Sequence, residues 1–211
     1  MSFHPVSAPT EEPVFIIAGG WSCSQYKRVK DLTKWGHVIG VNDSAIHAEV
    51  HTAITMDRLW LEHRLAEMDQ QTIPLWYRGC TAKNVKPGPL HHSFVGQPKN
   101  VRMSEDRTEL WGSNSGAVAL NLAYLMRPQR LYLFGFDMQQ GPRGEPHWYP
   151  PYPWKSGGGA KVGTMRQWAD EFRIKFQQFK KAGVTVKNVN TRSLITAFPT
   201  IGFEEFEVEV S

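Results

Sequence analysis

The sequence predicts one doubly wound α/β domain: a mostly parallel sheet with helices on both faces and two long loops at its binding edge. Three observations carry this expectation. Short continuous apolar runs recur along the chain, as in strands buried on both faces of a parallel sheet. Stretches of helical character lie between them and supply the crossovers that parallel neighbours require. The runs end in glycine or polar residues, and the carboxyl ends of strands are where open α/β sheets bind ligands.

The first run, Pro13-Val-Phe-Ile-Ile-Ala18, stops at the turn Gly19-Gly20. His37-Val-Ile-Gly-Val41 ends in Asn42-Asp43, and Thr52-Ala-Ile-Thr-Met56 ends in Asp57-Arg58. Arg130-Leu-Tyr-Leu-Phe134 leads into Gly135-Phe136-Asp137, and Gly183-Val-Thr-Val-Lys187 leads into Asn188 and Asn190. Helices are expected over 24–35, 59–68, 115–125 and 164–182. The third is rich in Ala and Leu and stops before Arg127-Pro128, which suits a buried helix. In the fourth, Met165, Trp168, Phe172, Phe176 and Phe179 recur at steps of three and four, so this stripe reads as a core face. Two stretches, 78–109 and 141–163, have no period. The second holds five prolines and the triplet Gly157-Gly158-Gly159. Loops of that length commonly cover binding sites.

Composition narrows the class. With 41% hydrophobic and 21% charged residues, the chain is an ordinary globular one. It has no apolar stretch of about 20 residues to span a bilayer, and its start lacks the cationic and apolar segments of a secretory signal. Cys23 and Cys80 are too few for a disulfide scaffold or a structural zinc site. The expectation is a soluble cytoplasmic domain over 1–211, with a flexible start at 1–12 and an acidic tail at 204–211. A homo-oligomer stays open. The net charge of +4 hides an asymmetry: Glu204, Glu205, Glu207 and Glu209 lie in the last eight residues, so the rest carries +8. Such a body suits a phosphorylated or nucleic-acid partner, or is simply a solvated basic face.

Three motifs point to chemistry. Gly19-Gly20-Trp21-Ser22 follows the first strand, where glycines let a phosphate approach the main chain and the next helix offers amide donors. Its spacing is neither the dinucleotide fingerprint nor a Walker loop, which argues against NAD and against that class of ATPase. Gly112-Ser113-Asn114-Ser115-Gly116 opens the third helix as an anion nest, although one capping residue would account for part of it. Gly135-Phe136-Asp137 precedes a loop with His147, Trp148, Tyr149 and Tyr152. An aspartate there can bind ribose hydroxyls, and a loop histidine can serve as general base. No metal-binding or nucleophile-elbow motif is present, so neither a dedicated metal site nor a serine hydrolase of that class is expected.

Val14-Phe-Ile-Ile-Ala-Gly-Gly-Trp-Ser22, Val38-Ile-Gly-Val-Asn-Asp43, Thr55-Met-Asp57, Gly112-Ser-Asn-Ser-Gly116, Leu131-Tyr-Leu-Phe-Gly-Phe-Asp137 and Asn188-Val-Asn-Thr-Arg-Ser-Leu194 follow one another in a familiar order. From about residue 14 to 206 the chain resembles a group of Rossmann-like phage and prophage proteins, some labelled norphogenetic, and pterin-diphosphokinase-like domains. It is also similar to bacterial sialyltransferases that use a CMP-linked sugar. That resemblance implies that Gly20, Ser22, Asn42, Ser115, Gly116, Gly135 and Asp137 hold a nucleotide. It also implies that Tyr149 or Tyr152 contacts its phosphate or the acceptor, and that His147 is the base. The chain departs from those enzymes in having Trp21 where proline is usual, and Lys155, Lys161 and glycines ahead of Thr164 where they carry the histidine.

The resulting expectation is a metal-independent transferase with no cofactor beyond a nucleotide-linked donor, a CMP- or UDP-linked sugar. His147 and Asp137 are its catalytic candidates. Its nucleotide-binding candidates are Gly19, Gly20, Ser22, Asn42, Asp43, Asp57, Ser113, Asn114, Ser115, Gly116 and Gly135. Two alternatives remain at this point: a phage-type nucleotide or nucleic-acid modification enzyme, and a non-catalytic nucleotide-binding module.

Overall fold

A computed structural model describes residues 12–79, 88–97, 100–154 and 162–211. The expected flexible start, apart from Glu12, and Cys80, Lys155, Lys161 and the glycine triplet at 157–159 lie outside them. The described chain forms one eight-stranded sheet with helices on both faces. Its strands are β1 (Val14–Ile17), β2 (His37–Val41), β3 (Thr52–Thr55), β4 (Leu75–Arg78), β5 (His91–Gln97), β6 (Glu109–Trp111), β7 (Arg130–Phe134) and β8 (Thr185–Asn188). They lie in the order β6-β5-β4-β3-β2-β1-β7-β8, every pair parallel. This is a Rossmann-like arrangement. The order reverses between β1 and β7, so the ends of these two strands flank the crevice where such sheets bind ligands.

The alternation of side chains along a strand builds the two faces. Val14 and Ile16 face one side with Ile39, Leu131 and Leu133. They pack under α3 (Ser115–Met126) and α4 (Val162–Lys181). Phe15 and Ile17 face the other side with Tyr132 and Phe134, and there they meet Tyr26, Leu32 and Phe206. The α3 helix carries the chain from edge strand β6 back under the sheet to β7, and nine of its residues are buried. Its one buried amide, Asn121, is satisfied by the main chain: it accepts from Ser104 N and Trp111 N and donates to Ser104 O.

Three expectations change. The aperiodic stretch 78–109 holds β5 and touches β4 and β6 at its ends, so it is sheet as well as loop. The expected α-helix over 24–35 is two 3₁₀ stretches, Trp21–Gln25 and Lys27–Lys34. The reason is spacing: Tyr26, Val29, Leu32 and Trp35 recur every third residue, the period at which a 3₁₀ helix keeps side chains on one face. The acidic tail is helix α5 (Phe203–Val210), docked through fully buried Phe206. Tyr26 and Tyr132 donate to Glu207 and Glu209, and Lys187 pairs with Glu209. The other two helices are α1 (Ser44–His47) and α2 (Arg58–Gln71). Among the described residues no helix is long and apolar enough to cross a membrane.

His37 opens β2 with its ring Nε2 3.1 Å from Thr52 Oγ1 and its plane stacked on His51. Burial, with His51 beside it, pulls its pKa from 6.5 to about 4. The folded chain therefore keeps this ring neutral where the unfolded chain binds a proton. The contribution is complete above pH 6.5 and is lost as the pH falls toward 4, roughly 3 kcal/mol in all. Urea unfolding between pH 7 and 4 is expected to show the wild type losing about that much more than His37→Leu. Parallel decline of the two would remove His37 as the cause.

Candidate functional site

The carboxyl ends of β1, β2, β3 and β7, the start of α3 and the loop after β7 enclose a cavity of about 840 Å³. That volume suits a small organic ligand, and its walls mix apolar side chains with a few converging polar groups, the usual make-up of ligand sites. At its floor Gly20 N donates to Gly135 O at 2.9 Å. A Cβ on Gly20 would lie 2.4 Å from that oxygen, so only glycine allows β1 and β7 to end this close. Gly135 adopts the left-handed conformation, φ 69°, and likewise has no room for a side chain.

Asp137 holds this corner together. Its Oδ2 accepts from Ser22 N, and its Oδ1 accepts from Ser22 Oγ and from Asn190 Nδ2 at 2.5–2.8 Å. Burial pushes its carboxyl up from the ordinary range, while the Ser22 and Asn190 donors pull the other way. With both oxygens engaged, Asp137 positions the turn after β1 and the loop after β8, and it also lines the cavity. Ser22, bound to it, lines a neighbouring cavity and not the main one, whereas Asp137 lines both.

The loop after β7 folds back over β1. Trp148 N donates to Gly19 O, and the Trp148 indole N–H lies within reach of Ala18 O and Ser44 Oγ. This fastening brings His147 and Tyr149 over Gly19, where a Cβ would come within 2.9 Å of His147 Nδ1 and 2.8 Å of the Tyr149 hydroxyl. His147, Tyr149 and His47 form a stack. The hydroxyls of Tyr149 and Tyr152 lie 3.1 Å apart. Burial pushes both phenols up, so both remain protonated donors at neutral pH.

Asn42 and Asp57 reach the cavity from β2 and β3. Asn42 is left-handed, φ 52°, and its Oδ1 accepts from Thr55 Oγ1. Asp57 caps α2 by accepting from Leu59 N and Trp60 N. Asp43 does not line the cavity: it accepts from the Trp60 indole and pairs through both oxygens with Arg64. Its signature position at a strand end reflects a structural ion pair.

The expected anion nest at 112–116 is only partly open. Asn114 caps α3 by accepting from Ala117 N, Ser115 Oγ accepts from Met56 N, and Ser113 Oγ donates to buried Glu171. Glu171 in turn pairs with Lys175, which is fully buried, donates to Arg102 O and Trp111 O, and is lowered by burial to about 8. What α3 offers the cavity is its N-terminal end at Ser115 and Gly116, with the positive end of its dipole.

Several lining residues escape the sequence reading. Met165 and Trp168 belong to the aromatic stripe of α4, yet its first turns reach past the core to the cavity. Met138, beside Asp137, is left-handed at φ 53°, an unusual conformation for a side chain without a short polar head. Its neighbour Gln139 also lines the wall. A methionine has no motif, so nothing in the sequence marks it. No Lys or Arg lines the cavity among the described residues.

Asp137→Ala is expected to cost about 3 kcal/mol or more, because it leaves buried Ser22 and Asn190 donors without their acceptor. Asn190→Ala removes one bond and costs less. Denaturant titration of the two variants checks the order. Equal, small losses would mean that the carboxylate does not hold the corner.

No protein-family model, curated protein or solved structure matches this chain, so the geometry of the cavity carries the functional argument.

Proposed function

We propose that the protein is a transferase that takes a nucleotide-linked donor, a nucleotide sugar, into the cavity between β1 and β7. The observation that carries this is convergence: two glycine turns, the N-terminal end of α3 and a histidine and tyrosine loop meet around one cavity at the switch point. Gly19 N and the Ser115 and Gly116 N–H groups at the start of α3 would hold phosphate oxygens, Gly20 N being already given to Gly135 O. One hydroxyl of the Tyr149–Tyr152 pair donates to the other, which leaves one O–H of the pair for the ligand, and Asn42 would meet the nucleoside.

In the transfer step the acceptor hydroxyl oxygen bonds to the anomeric carbon as the bond from that carbon to the phosphate oxygen breaks. The electron pair leaves with the nucleotide, and His147 takes the hydroxyl proton.

A thermal-shift series with CMP, CDP, UDP, GDP, ADP, their sugar conjugates and a short DNA duplex tests the reading. A ligand at about 100 times its Kd adds roughly 2.7 kcal/mol, which for a chain of this size raises Tm by about 5–10 °C. The expected result is a shift with one nucleotide family that Gly116→Val abolishes, with the unliganded Tm of the variant measured alongside, because a Cβ there would come within 3.2 Å of Asn114 Oδ1 and of the buried Phe136 ring. His147→Ala should keep the shift and slow transfer by roughly 100-fold or more. A shift with duplex DNA alone would overturn the proposal. Binding with no turnover in the wild type would leave a nucleotide-binding module.

A further inference from the structure

Beside the main cavity lies a second one of about 540 Å³, walled by the first 3₁₀ stretch, the loop after β7, the loop after β8 and the start of α5. Asp137 and Gln139 line both cavities. The left-handed turn at Met138 separates the two: Met138 lines only the first, whereas Gln140 and Pro142 line only the second. The two spaces therefore share one wall rather than lying at opposite ends of the molecule.

The chemistry of the second cavity differs from that of the first. Its wall presents the Trp21 indole with the amide side chains of Gln25, Gln139 and Gln140, the hydroxyl of Thr191 and the guanidinium of Arg192. Trp21 is fixed in place by Gly141, where a Cβ would lie 2.6 Å from the indole Cγ. Gln139 is fixed by donating to Arg192 O, which leaves its amide oxygen as an acceptor. Amide and hydroxyl groups both donate and accept, as sugar hydroxyls do. An indole face carries negative π density that suits the C–H face of a pyranose ring. Asp137, the one acid among the described residues of this wall, is already engaged within the chain.

We infer that this second cavity is a saccharide-binding subsite beside the main cavity. The binding of saccharide there does not rest on the transferase reading above. Trp21 stacks on the sugar ring, Gln140 and Gln139 bind its hydroxyls, and the shared wall at Asp137 and Gln139 brings the bound sugar next to the main cavity.

The test is a titration of the ¹⁵N-labelled whole chain with lactose, maltotriose and N,N′,N″-triacetylchitotriose, read at the Trp21 indole N–H resonance assigned from its loss in Trp21→Ala. The expected result is a saturable shift of that resonance with at least one of the three. Gln140→Ala should weaken the response by about tenfold, the equivalent of 1.4 kcal/mol. Backbone resonances of the second cavity should respond in the wild type and not in Trp21→Ala, whose nucleotide response in the thermal-shift series should be unchanged. The inference is overturned if none of the three sugars moves the resonance at millimolar concentration. It is equally overturned if Trp21→Ala removes the nucleotide response, since the second cavity would then belong to the nucleotide. Sugar binding without any nucleotide response would sink the donor reading while leaving this subsite standing.

Discussion

The candidate site depends on the buried carboxylate of Asp137. A doubly wound sheet leaves a crevice where its strand order reverses, and nothing in the ladder itself fixes the loops that leave the strands there. Asp137 does so by collecting donors from the turn after β1 and from the loop after β8 on the end of β7. Once these three ends are tied, Gly20 and Gly135 must be glycines, because the backbones touch. The loop after β7 can then fold over Gly19 and carry His147 into place.

A second tether acts from below. Glu171 and Lys175 are both in α4 and both buried, and replacing such a pair with apolar residues is often neutral for stability. Their value here is positional. Lys175 binds the main chain at Arg102, ahead of β6, and at Trp111, the last residue of β6, and Glu171 holds Ser113 at the mouth of α3. The helix that crosses the sheet therefore begins at a defined point on the cavity wall.

The legible part of the molecule was the part buried on both faces. The strands β1, β2, β3, β7 and β8 are continuous apolar runs or end in glycine and polar pairs, so their positions and the binding edge follow from the sequence. β5 does not, because His91-His92-Ser93 carries no apolar run and its place comes from register with β4. Within the site the sequence identifies positions but not directions. Asp43 and Asn42 are neighbours at one strand end, yet Asn42 faces the cavity while Asp43 turns to Trp60 and Arg64 on a helix many residues later. Ser22 and Asp137 are each recognisable as strand-end polar groups, but their pairing spans 115 residues and leaves no local pattern. Trp168 lies on the same helical face as the core residue Phe172, and only the placement of α4 against the sheet decides that it also borders open space.

The place of β1 in the sheet has a consequence for how the chain assembles. β1 comes first among the strands, yet one of its two partners, β7, begins at Arg130. During synthesis β1 can pair with β2 early, but its other edge stays open until more than half of the chain has been made. A long-range parallel pairing of this kind is slow to form, and it exposes an apolar edge in the meantime. The buried crossing by α3 is made in the same interval. The candidate cavity is therefore among the last features to exist, and a chain interrupted before β7 would carry an unpaired Phe15-Ile16-Ile17 edge, an aggregation risk, in its place.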